Sequence, residues 1–216
     1  MTEARAYTDI DTLTERLRTV PYESVLRTIG RVAEREGIEA YAVGGMVRDV
    51  LLGRSTTDLD FVTVGPGTGI ALAEAVGEEL GGRTAHVYPK FGTAAIRIPA
   101  EEALPDGHPD DALVLEFVAA RTESYRSNSR KPIVEDGTLE DDQYRRDFTV
   151  NAMAIHLTPD RFGELIDPFD GRRDLERGLI DTPLDPEETF EDDPLRMIRA
   201  ARFATQLEFW LSDRVF

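Results

Sequence analysis

The stretch AVGGMVRDVLLGRSTTDLDFVTVG, residues 42–65, decides the fold and raises a chemical question. Its pattern predicts a strand, a glycine turn, a short helix ending at Gly53 and a second strand with alternating faces. Asp58 and Asp60 are two residues apart, so on a strand they project from the same face. Carboxylates this close repel each other unless a cation lies between them. The pair therefore indicates either a Mg²⁺ site or a solvated strand end.

The two glycines before the short helix form the next feature of this stretch. Gly44 and Gly45 lie at the strand-to-helix turn, where the missing side chains let a ligand approach the backbone and the helix N-terminus offers N–H groups to an anion. Arg48 follows in the first turn, where the helix dipole disfavours a cation. A bound phosphate chain would explain that position. The alternative is a tight turn with Arg48 paired to a surface acid.

The surrounding pattern predicts the fold class. Amphipathic helices are expected over residues 22–36, over 68–82 and from Pro194 onward. Strands are expected at AYAVG, TAHVY, TAAIRI and ALVLEFVAA. Helices and strands alternate early and strands then dominate, which is typical of an α/β or α+β fold with a mixed sheet.

Three connecting segments complete the organisation of the chain. GPGTG at 65–69 lacks the Gly-Lys-Ser/Thr ending of a phosphate loop, so it is interpreted as a strand-to-helix turn. Residues 121–146 lack apolar periodicity and are predicted to be a long, mobile connection. Turn residues gather at 170–185, where a modest domain change is expected.

Composition excludes several classes of protein. The chain has no cysteine, so thiolate catalysis and cysteine metal sites are excluded, and its three histidines share no ligand spacing. The net charge of −17 excludes a generally basic nucleic-acid-binding surface, so contacts with any polyanionic substrate must be local. No run approaches the ~20 apolar residues of a membrane helix and the N-terminus is too polar for a signal peptide, so no membrane partner and a cytoplasmic location are expected.

A third carboxylate could complete a metal site. The segment VLEFVAAR places Glu116 in an otherwise apolar strand, where an acid is either an exposed face position or a ligand. Two-metal sites activate an attacking hydroxyl and stabilise the leaving oxygen in phosphoryl displacement.

The last helix carries charges at regular spacing. Asp193, Arg196, Arg199 and Arg202 recur every three residues and are predicted to form one stripe. A solvated charge ladder is one interpretation. The other is base recognition: Asp accepts from an exocyclic amine while Arg donates to a ring nitrogen, a pattern that cytosine and adenine offer and guanine and uracil do not.

Three segments together carry a family resemblance. GGMVRDVLLGRSTTDLD, RRDFTVNAMAI and EDDPLRMIRAARFA resemble, in order, the signatures of the class II tRNA nucleotidyltransferase (CCA-adding enzyme) and bacterial poly(A) polymerase family. The resemblance runs from about residue 38 to 207. It implies a nucleotidyltransferase-type mixed β-sheet head with flanking helices over 1–170, followed over 171–216 by the start of a helical neck with a nucleotide-template helix.

The resemblance also implies roles for single residues. Asp58 and Asp60 would bind two catalytic Mg²⁺ ions with Glu116 as third carboxylate, and Gly45 and Arg48 would contact the triphosphate beside Gly44. The remaining positions are Arg146, Asp147 and Asn151 for ribose and phosphate, Asp193 and Arg196 as the protein template for C and A, and Arg199 and Arg202 for phosphates or the neck.

The implied function is template-independent addition of C and A to the 3′ end of tRNA from CTP and ATP. A poly(A) polymerase that uses ATP alone, acting on another RNA 3′ end, and a non-catalytic nucleotide- or RNA-binding accessory protein stay open as alternatives, as does the oligomeric state. Family members continue into body and tail regions that grip the tRNA, so a head alone is expected to keep nucleotide binding better than RNA extension.

Overall fold

A computed structural model describes residues 10–54, 56–104, 111–124 and 133–216. The helices are α1 (Ile10–Thr19), α2 (Glu23–Glu36), α3 (Gly45–Leu51), α4 (Thr68–Glu79), α5 (Ala100–Ala103), α6 (Leu139–Tyr144), α7 (Gly171–Arg177), α8 (Pro186–Asp192) and α9 (Leu195–Leu207). The strands are β1 (Ala40–Val43), β2 (Asp58–Thr63), β3 (His86–Tyr88), β4 (Thr93–Pro99), β5 (Ala112–Ala119), β6 (Arg121–Ser124), β7 (Ile133–Asp136), β8 (Ala154–His156), β9 (Leu165–Ile166), β10 (Leu179–Ile180) and β11 (Trp210–Leu211).

The centre of the molecule is a seven-stranded mixed sheet in the order β3-β4-β5-β2-β1-β8-β9. Its β2 and β5 strands are parallel, and the other neighbours run antiparallel. A parallel pair needs a crossover connection, which here contains α4, β3 and β4. The mixed α/β sheet that the sequence predicts is present.

The alternation of β2 and β5 gives the sheet two different faces. Leu59 and Phe61 on β2, with Leu115 and Phe117 on β5, are buried in the main core, where the two phenyl rings stack with centroids 5.0 Å apart. Helix α4 packs on β2, β4 and β5, and α2 packs on α4. The intervening residues of both strands point to the other face, and that face carries the carboxylates.

The predicted turn at 65–69 brings α4 against the sheet. Gly67 precedes α4 with a φ of 72°, a left-handed conformation that glycine adopts without strain. A Cβ on Gly69 would lie 2.7 Å from the backbone nitrogen of Ala119. The glycines here serve a tight turn and close helix–strand packing, as the sequence predicts.

The prediction of a long, mobile connection over 121–146 is wrong in that its described part contains regular elements. Strands β6 and β7 form an antiparallel ribbon outside the main sheet, and α6 follows. Thr138 and Asp141 form a reciprocal capping box at the start of α6. The two strands pair through backbone hydrogen bonds, and the β6 sequence Arg-Thr-Glu-Ser has no apolar period that could reveal it. The part of the prediction that covers 125–132 lies outside the described residues.

The last part of the chain forms a helical segment closed by a short strand pair. In the chain, helices α8 and α9 follow β10 and precede β11, and these two strands pair in parallel. Helix α9 begins at Leu195, one residue after the predicted start at Pro194, and Ala200, Phe203 and Leu207 are its buried residues. The boundary at residue 170 and the assignment of 171–216 to a neck stay predictions. Along the described ranges, no helix is both long and apolar enough to cross a membrane.

Candidate nucleotidyltransferase site

The predicted carboxylates lie together on the sheet face opposite the main core. Asp60 on β2 is the Cα partner of Glu116 on β5, and Asp58 projects from the same face two residues earlier. Asp60 is half-buried, whereas Asp58 and Glu116 are exposed. The structure therefore places all three on one face of the parallel strand pair β2–β5.

Asp60 has a perturbed acidity. Burial raises the pKa of its carboxyl above the usual range, and the nearby negative charges of Glu116, Asp58 and Asp142 raise it further, against the opposing effect of Arg146. The anion at this position is therefore costly. A bound cation would relieve that cost directly.

The chemistry of these side chains fits a hard divalent cation. Mg²⁺ prefers one or two protein carboxylates and completes its shell with water and phosphate oxygens. Among the residues that the structure describes, however, no three acidic or histidine side chains converge into a compact metal-binding group. The binding of Mg²⁺ by Asp58, Asp60 and Glu116 therefore stays a prediction.

Gly44 has a backbone conformation that favours glycine, and it lies close to the guanidinium of Arg146. Its φ of 73° and ψ of −134° are reached freely by glycine and rarely by other residues. A Cβ there would lie 2.9 Å from Nη1 of Arg146 and 3.8 Å from Oδ2 of Asp60. The space beside this glycine turn, where a ligand was predicted to approach the backbone, is thus occupied by the Arg146 guanidinium, which reaches toward the carboxylates.

Arg145 and Arg146 are both held by one buried carboxylate. Asp142 accepts from Nε and Nη2 of Arg146 at 2.9 and 2.7 Å on one oxygen, and from Nε of Arg145 at 3.0 Å on the other. The pKa of Asp142 is lowered: burial alone would raise it, but the two guanidiniums outweigh burial. Asp142 was not among the predicted site residues.

A hydrogen-bonded chain joins the three predicted segments. Asp147 accepts from Nδ2 of Asn151 at 3.1 Å and from Nε of Arg199 at 2.7 Å. The Oδ1 of Asn151 in turn accepts from Nη1 of Arg48 at 2.7 Å. Side chains from α3, from the 147–151 segment and from α9 therefore form one network, although they are up to 151 positions apart in sequence.

Arg48 is more buried than expected for a phosphate ligand. It is 7% exposed, and its Nε and Nη2 donate to the carboxylate of Asp49 at 2.9 and 3.0 Å. It still lines a cavity with Gly44 and Gly45. A direct contact between Arg48 and a triphosphate stays a prediction.

Phe203 organises the arginines of this region and was missed by the sequence interpretation. The guanidinium carbons of Arg48, Arg199 and Arg202 lie 5.3, 5.3 and 4.8 Å from its ring centroid. Cations over an aromatic face are stabilised by the ring quadrupole. The only signal in the sequence is an aromatic residue next to the last arginine of the stripe.

The predicted stripe is wrong for its first member. Asp193 has an extended backbone between α8 and α9, and its Oδ1 accepts the Leu195 N–H at 3.0 Å. Pro194 follows it and starts the helix, so Asp193 precedes the helix instead of lying along it. Nη2 and Nη1 of Arg196 donate to the carbonyls of Arg145 and Thr189 at 2.7 and 3.3 Å. The hydrogen bonds of the Asp193 and Arg196 side chains described here are therefore made with other groups and not with each other.

Two cavities meet at Asp60 and Arg146. The first measures about 280 Å³ and the second about 380 Å³. Besides the two shared residues, the first is lined by Gly44, Gly45, Arg48, Asp58, Asp147, Asn151 and Arg199, and the second by Phe91, Thr93, Glu116, Arg121 and Arg145, among others. Asp60 therefore faces two compartments from one position.

The chain is similar in sequence to known proteins. The family model described as the poly A polymerase head domain matches residues 40–181. The chain is 43% identical over 175 residues to an A-adding tRNA nucleotidyltransferase of Aquifex aeolicus, covering 81% of this chain and 19% of that protein. It is 38% identical over 195 residues to a CCA-adding enzyme of Geobacillus kaustophilus, covering 89% of this chain and 42% of that protein.

A solved structure agrees with both relatives. A tRNA nucleotidyltransferase complexed with a primer tRNA and an incoming ATP analogue superposes with a TM-score of 0.70 at 39% identity, over 87% of this chain and 47% of the other. The predicted nucleotidyltransferase-type head is confirmed, and this chain spans less than half the length of each of these proteins. The chain belongs to the poly A polymerase head domain family, the nucleotidyltransferase family that its three sequence signatures resemble.

Proposed function

We propose that this head domain transfers nucleotides from CTP and ATP to the 3′ end of tRNA. The observation that carries the proposal is the meeting of the carboxylate face with Arg146 at the junction of two cavities. A transferase of this type must hold two substrates, a nucleoside triphosphate and an RNA end, with the reacting atoms next to the same acidic groups.

The smaller cavity suits the triphosphate. Its rim contains the Gly44–Gly45 backbone and the guanidiniums of Arg146 and Arg199, which together attract phosphate oxygens. Asp147 and Asn151 line the same cavity and offer groups for a ribose. In a chain with a net charge of −17, this local concentration of arginine is what a polyanionic ligand requires.

The larger cavity suits the RNA end. Phe91 lines this cavity and is 66% exposed, so its ring provides a surface on which a base can stack. Arg121 and Arg145 line the same cavity and can approach backbone phosphates. Glu116 lies on this side of Asp60, so the terminal ribose would reach the carboxylates from here.

The reaction joins the two compartments. The 3′ oxygen of the RNA attacks the α-phosphorus of the nucleotide, a new P–O bond forms, the bond to the β-phosphate oxygen breaks and pyrophosphate leaves. Asp58, Asp60 and Glu116 would hold Mg²⁺, which supplies charge stabilisation at the attacking and leaving oxygens when bound. The arginines bind and orient the triphosphate, and Asp60 lies between both substrates.

Nucleotide choice would lie at the start of α9. Arg196 would donate to a cytosine or adenine ring nitrogen with guanidinium N–H groups that its bonds to the carbonyls of Arg145 and Thr189 leave over. Because Arg145 lines the second cavity, Arg196 lies next to both compartments.

A second candidate is addition of A alone. It is favoured by the 43% identical relative of Aquifex aeolicus, an A-adding tRNA nucleotidyltransferase, whereas the Geobacillus relative is a CCA-adding enzyme. The site residues are compatible with both, because cytosine and adenine present the same donor–acceptor pair to an Asp–Arg reader. Poly(A) synthesis and a non-catalytic binding role are the remaining alternatives.

One assay separates these functions. The protein is incubated with Mg²⁺ and labelled CTP or ATP together with three tRNAs, which end before CCA, after the second C, or after the terminal A. Labelled C on the first substrate supports CCA addition, one A on the second substrate alone supports A addition, and a long A tail supports poly(A) synthesis. Incorporation from neither nucleotide, with ATP still bound in calorimetry, supports the accessory role and contradicts transfer by this chain.

A further inference from the structure

The side chain of Asp142 is a carboxylate that the solvent does not reach. It is 0% exposed, and each of its two oxygens is bound by a different guanidinium. Arg145 contacts one oxygen and Arg146 the other, each through Nε and Nη2. A carboxylate that accepts four N–H groups from two arginines holds both guanidinium planes in fixed orientations.

The two arginines extend from Asp142 into the cavities. Arg146 lines both cavities and Arg145 lines the larger one, and their side chains remain 19% and 29% exposed. Asp142 binds Nε and Nη2 of Arg146, so Nη1 is the nitrogen directed toward Gly44 and the carbonyl of Asn151 at 3.4 Å. Asp142 therefore fixes which nitrogen faces the site.

Stability alone gives a weak reason for this arrangement. Burying an ion pair costs desolvation energy that its attraction often only balances, so an apolar residue could support the fold equally well. The adjacent Gln143 already ties α6 to the sheet, since its Nε2 donates to the carbonyls of Ala152 and Ile166 at 2.6 and 3.1 Å. The anchoring of α6 does not depend on a charge at position 142.

The position of Arg146 explains what the charge does. A Cβ on Gly44 would contact both Nη1 of Arg146 and Oδ2 of Asp60, so this guanidinium lies beside the most buried of the three strand-face carboxylates. An arginine there that Asp142 did not hold could pair with Asp60 and occupy the oxygens that would bind a cation. In the structure, its ion pair is made with Asp142.

We propose that Asp142 is a positioning residue that holds Arg145 and Arg146 between the nucleotide cavity and the RNA cavity and keeps Arg146 from pairing with Asp60. The proposal rests on the proposed function, because Arg146 must contact the triphosphate for its position to matter. It adds a residue outside the three sequence signatures to the site. It also gives the two substrate compartments one shared support.

The test measures ATP binding to the full chain by calorimetry in the presence of Mg²⁺. Asp142→Asn removes the charge and turns one acceptor into a donor that repels a guanidinium, so ATP binding weakens about tenfold or more although the protein has lost a negative charge. Removal of a negative charge without a positioning effect would tighten ATP binding. Unchanged or tighter ATP binding by Asp142→Asn therefore overturns the proposal.

Matched variants separate positioning from folding. Asp174→Asn makes the same chemical change at a carboxylate that accepts the Thr149 hydroxyl at 2.6 Å and contacts neither arginine; its ATP affinity stays at the wild-type value. Arg146→Lys keeps the charge but loses the two-nitrogen contact with Asp142, and it weakens ATP binding as much as Asp142→Asn does. This second variant tests the proposal if Asp142→Asn does not fold. Wild-type ATP affinity in Arg146→Lys contradicts the proposal in that case.

A double-mutant cycle gives the decisive comparison. If Asp142 acts through Arg146, then Asp142→Asn has no further effect on ATP binding in an Arg146→Gln background. Additive losses in the double variant contradict the proposal and indicate a structural role. If Arg146→Gln alone leaves ATP affinity unchanged, the proposed nucleotide contact fails first. If Arg146→Gln weakens binding and Asp142→Asn does not, only the positioning role fails.

Discussion

Carboxylates are arranged in opposite ways on the two sides of the Gly44 turn. On the sheet face, Asp58, Asp60 and Glu116 face one another, and within the described part of the chain none of them forms an ion pair with a basic side chain. On the other side, Asp142 is held by Arg145 and Arg146, and Asp147 is held by Arg199. The same functional group is left without a basic side-chain partner in one region and fully compensated in the other.

This difference separates two tasks. Compensated carboxylates fix the directions of arginines, since each accepts several N–H groups with defined geometry. Carboxylates that form no ion pair with a side chain keep their oxygens available. Keeping them as anions costs free energy, and the pKa of Asp60 is raised for this reason: burial contributes most, and its acidic neighbours add to it. The sheet face holds these costly anions without ion pairs although arginines lie close by, so it is suited to bind a cation from solution.

The largest effect is expected from a substitution among the sheet-face carboxylates Asp58, Asp60 and Glu116. Asp60→Asn keeps the size of the side chain and removes the charge, so nucleotide incorporation into tRNA falls roughly 1,000-fold, because loss of a metal ligand removes several kcal/mol of transition-state stabilisation. Asp213→Asn, at an exposed position near the C-terminal end of the described chain, serves as the matched control. Incorporation by Asp60→Asn within a few-fold of wild type, with an unchanged melting temperature, would remove Asp60 from catalysis.

The next effect tests the turn between the two regions. Gly44→Ala and Gly53→Ala both place a side chain at positive φ, 73° and 68°, and both lose roughly 1–2 kcal/mol of stability. Only at Gly44 does the new Cβ meet Nη1 of Arg146, at 2.9 Å; at Gly53 nothing lies within 4 Å. ATP binding therefore weakens about tenfold in Gly44→Ala and stays near wild type in Gly53→Ala.

Calorimetric titration with ATP checks this pair, beside melting temperatures. Equal ATP affinities in the two variants would mean that the approach of Arg146 over Gly44 does not matter for nucleotide binding. The comparison would then reduce to backbone strain alone.

A smaller effect concerns nucleotide choice. Asp193→Asn keeps an oxygen that can accept the Leu195 N–H, so the free energy of unfolding changes little, but the charge that would accept from an exocyclic amine is gone. The preference for ATP over GTP falls about tenfold in competition assays. Asp193→Ala loses both the cap and the preference. An unaltered preference in Asp193→Asn, with Asp193→Ala only less stable, would leave Asp193 as a capping residue.

The smallest effect is a pH dependence of the compensated group. The pKa of Asp142 is lowered in the folded protein, so its ion pairs contribute stability that is complete above the ordinary aspartate value of 3.8 and is lost as the pH falls through the lower folded value. The difference in free energy of unfolding between wild type and Asp142→Asn is therefore constant at neutral pH and shrinks only below that value. Denaturant titrations at several pH values check this, and a difference that grows toward low pH would contradict it.

Much of the fold follows from local patterns. Alternating apolar residues indicated β2 and β5, and the 3.6-residue period indicated α2, α4 and α9. Helix α2, expected over 22–36, ends before Gly37, whose φ is 68°. The ribbon β6–β7 and helix α6 were missed because their sequences carry no apolar period: β6 reads Arg-Thr-Glu-Ser, and the buried residues of α6 are the polar Asp142 and Gln143. Apolar periodicity detects only elements that bury one face.

The site residues also fall into two groups, those that local sequence patterns predict and those that depend on long-range packing. Asp58 and Asp60 on one face follow from the period of a strand, and Glu116 as neighbour of Asp60 follows from parallel pairing of two recognisable strands. The role of Asp142 as partner of two arginines, and the contact of Arg199 with Asp147, depend on how α6 and α9 pack against the 147–151 segment. Such long-range packing leaves no periodic signal in the sequence.

Magnesium dependence of ATP binding tests the central claim most directly. Calorimetry on the wild-type protein and on Asp60→Asn, each with Mg²⁺ and with a chelator, compares the sheet-face carboxylates with the arginine-held ones in one experiment. We expect Mg²⁺ to strengthen ATP binding to the wild type and to lose that effect in Asp60→Asn, while the arginines keep weak metal-independent binding in both. ATP binding that is equally strong with and without Mg²⁺ in both proteins would contradict a cation site on the Asp58, Asp60 and Glu116 face.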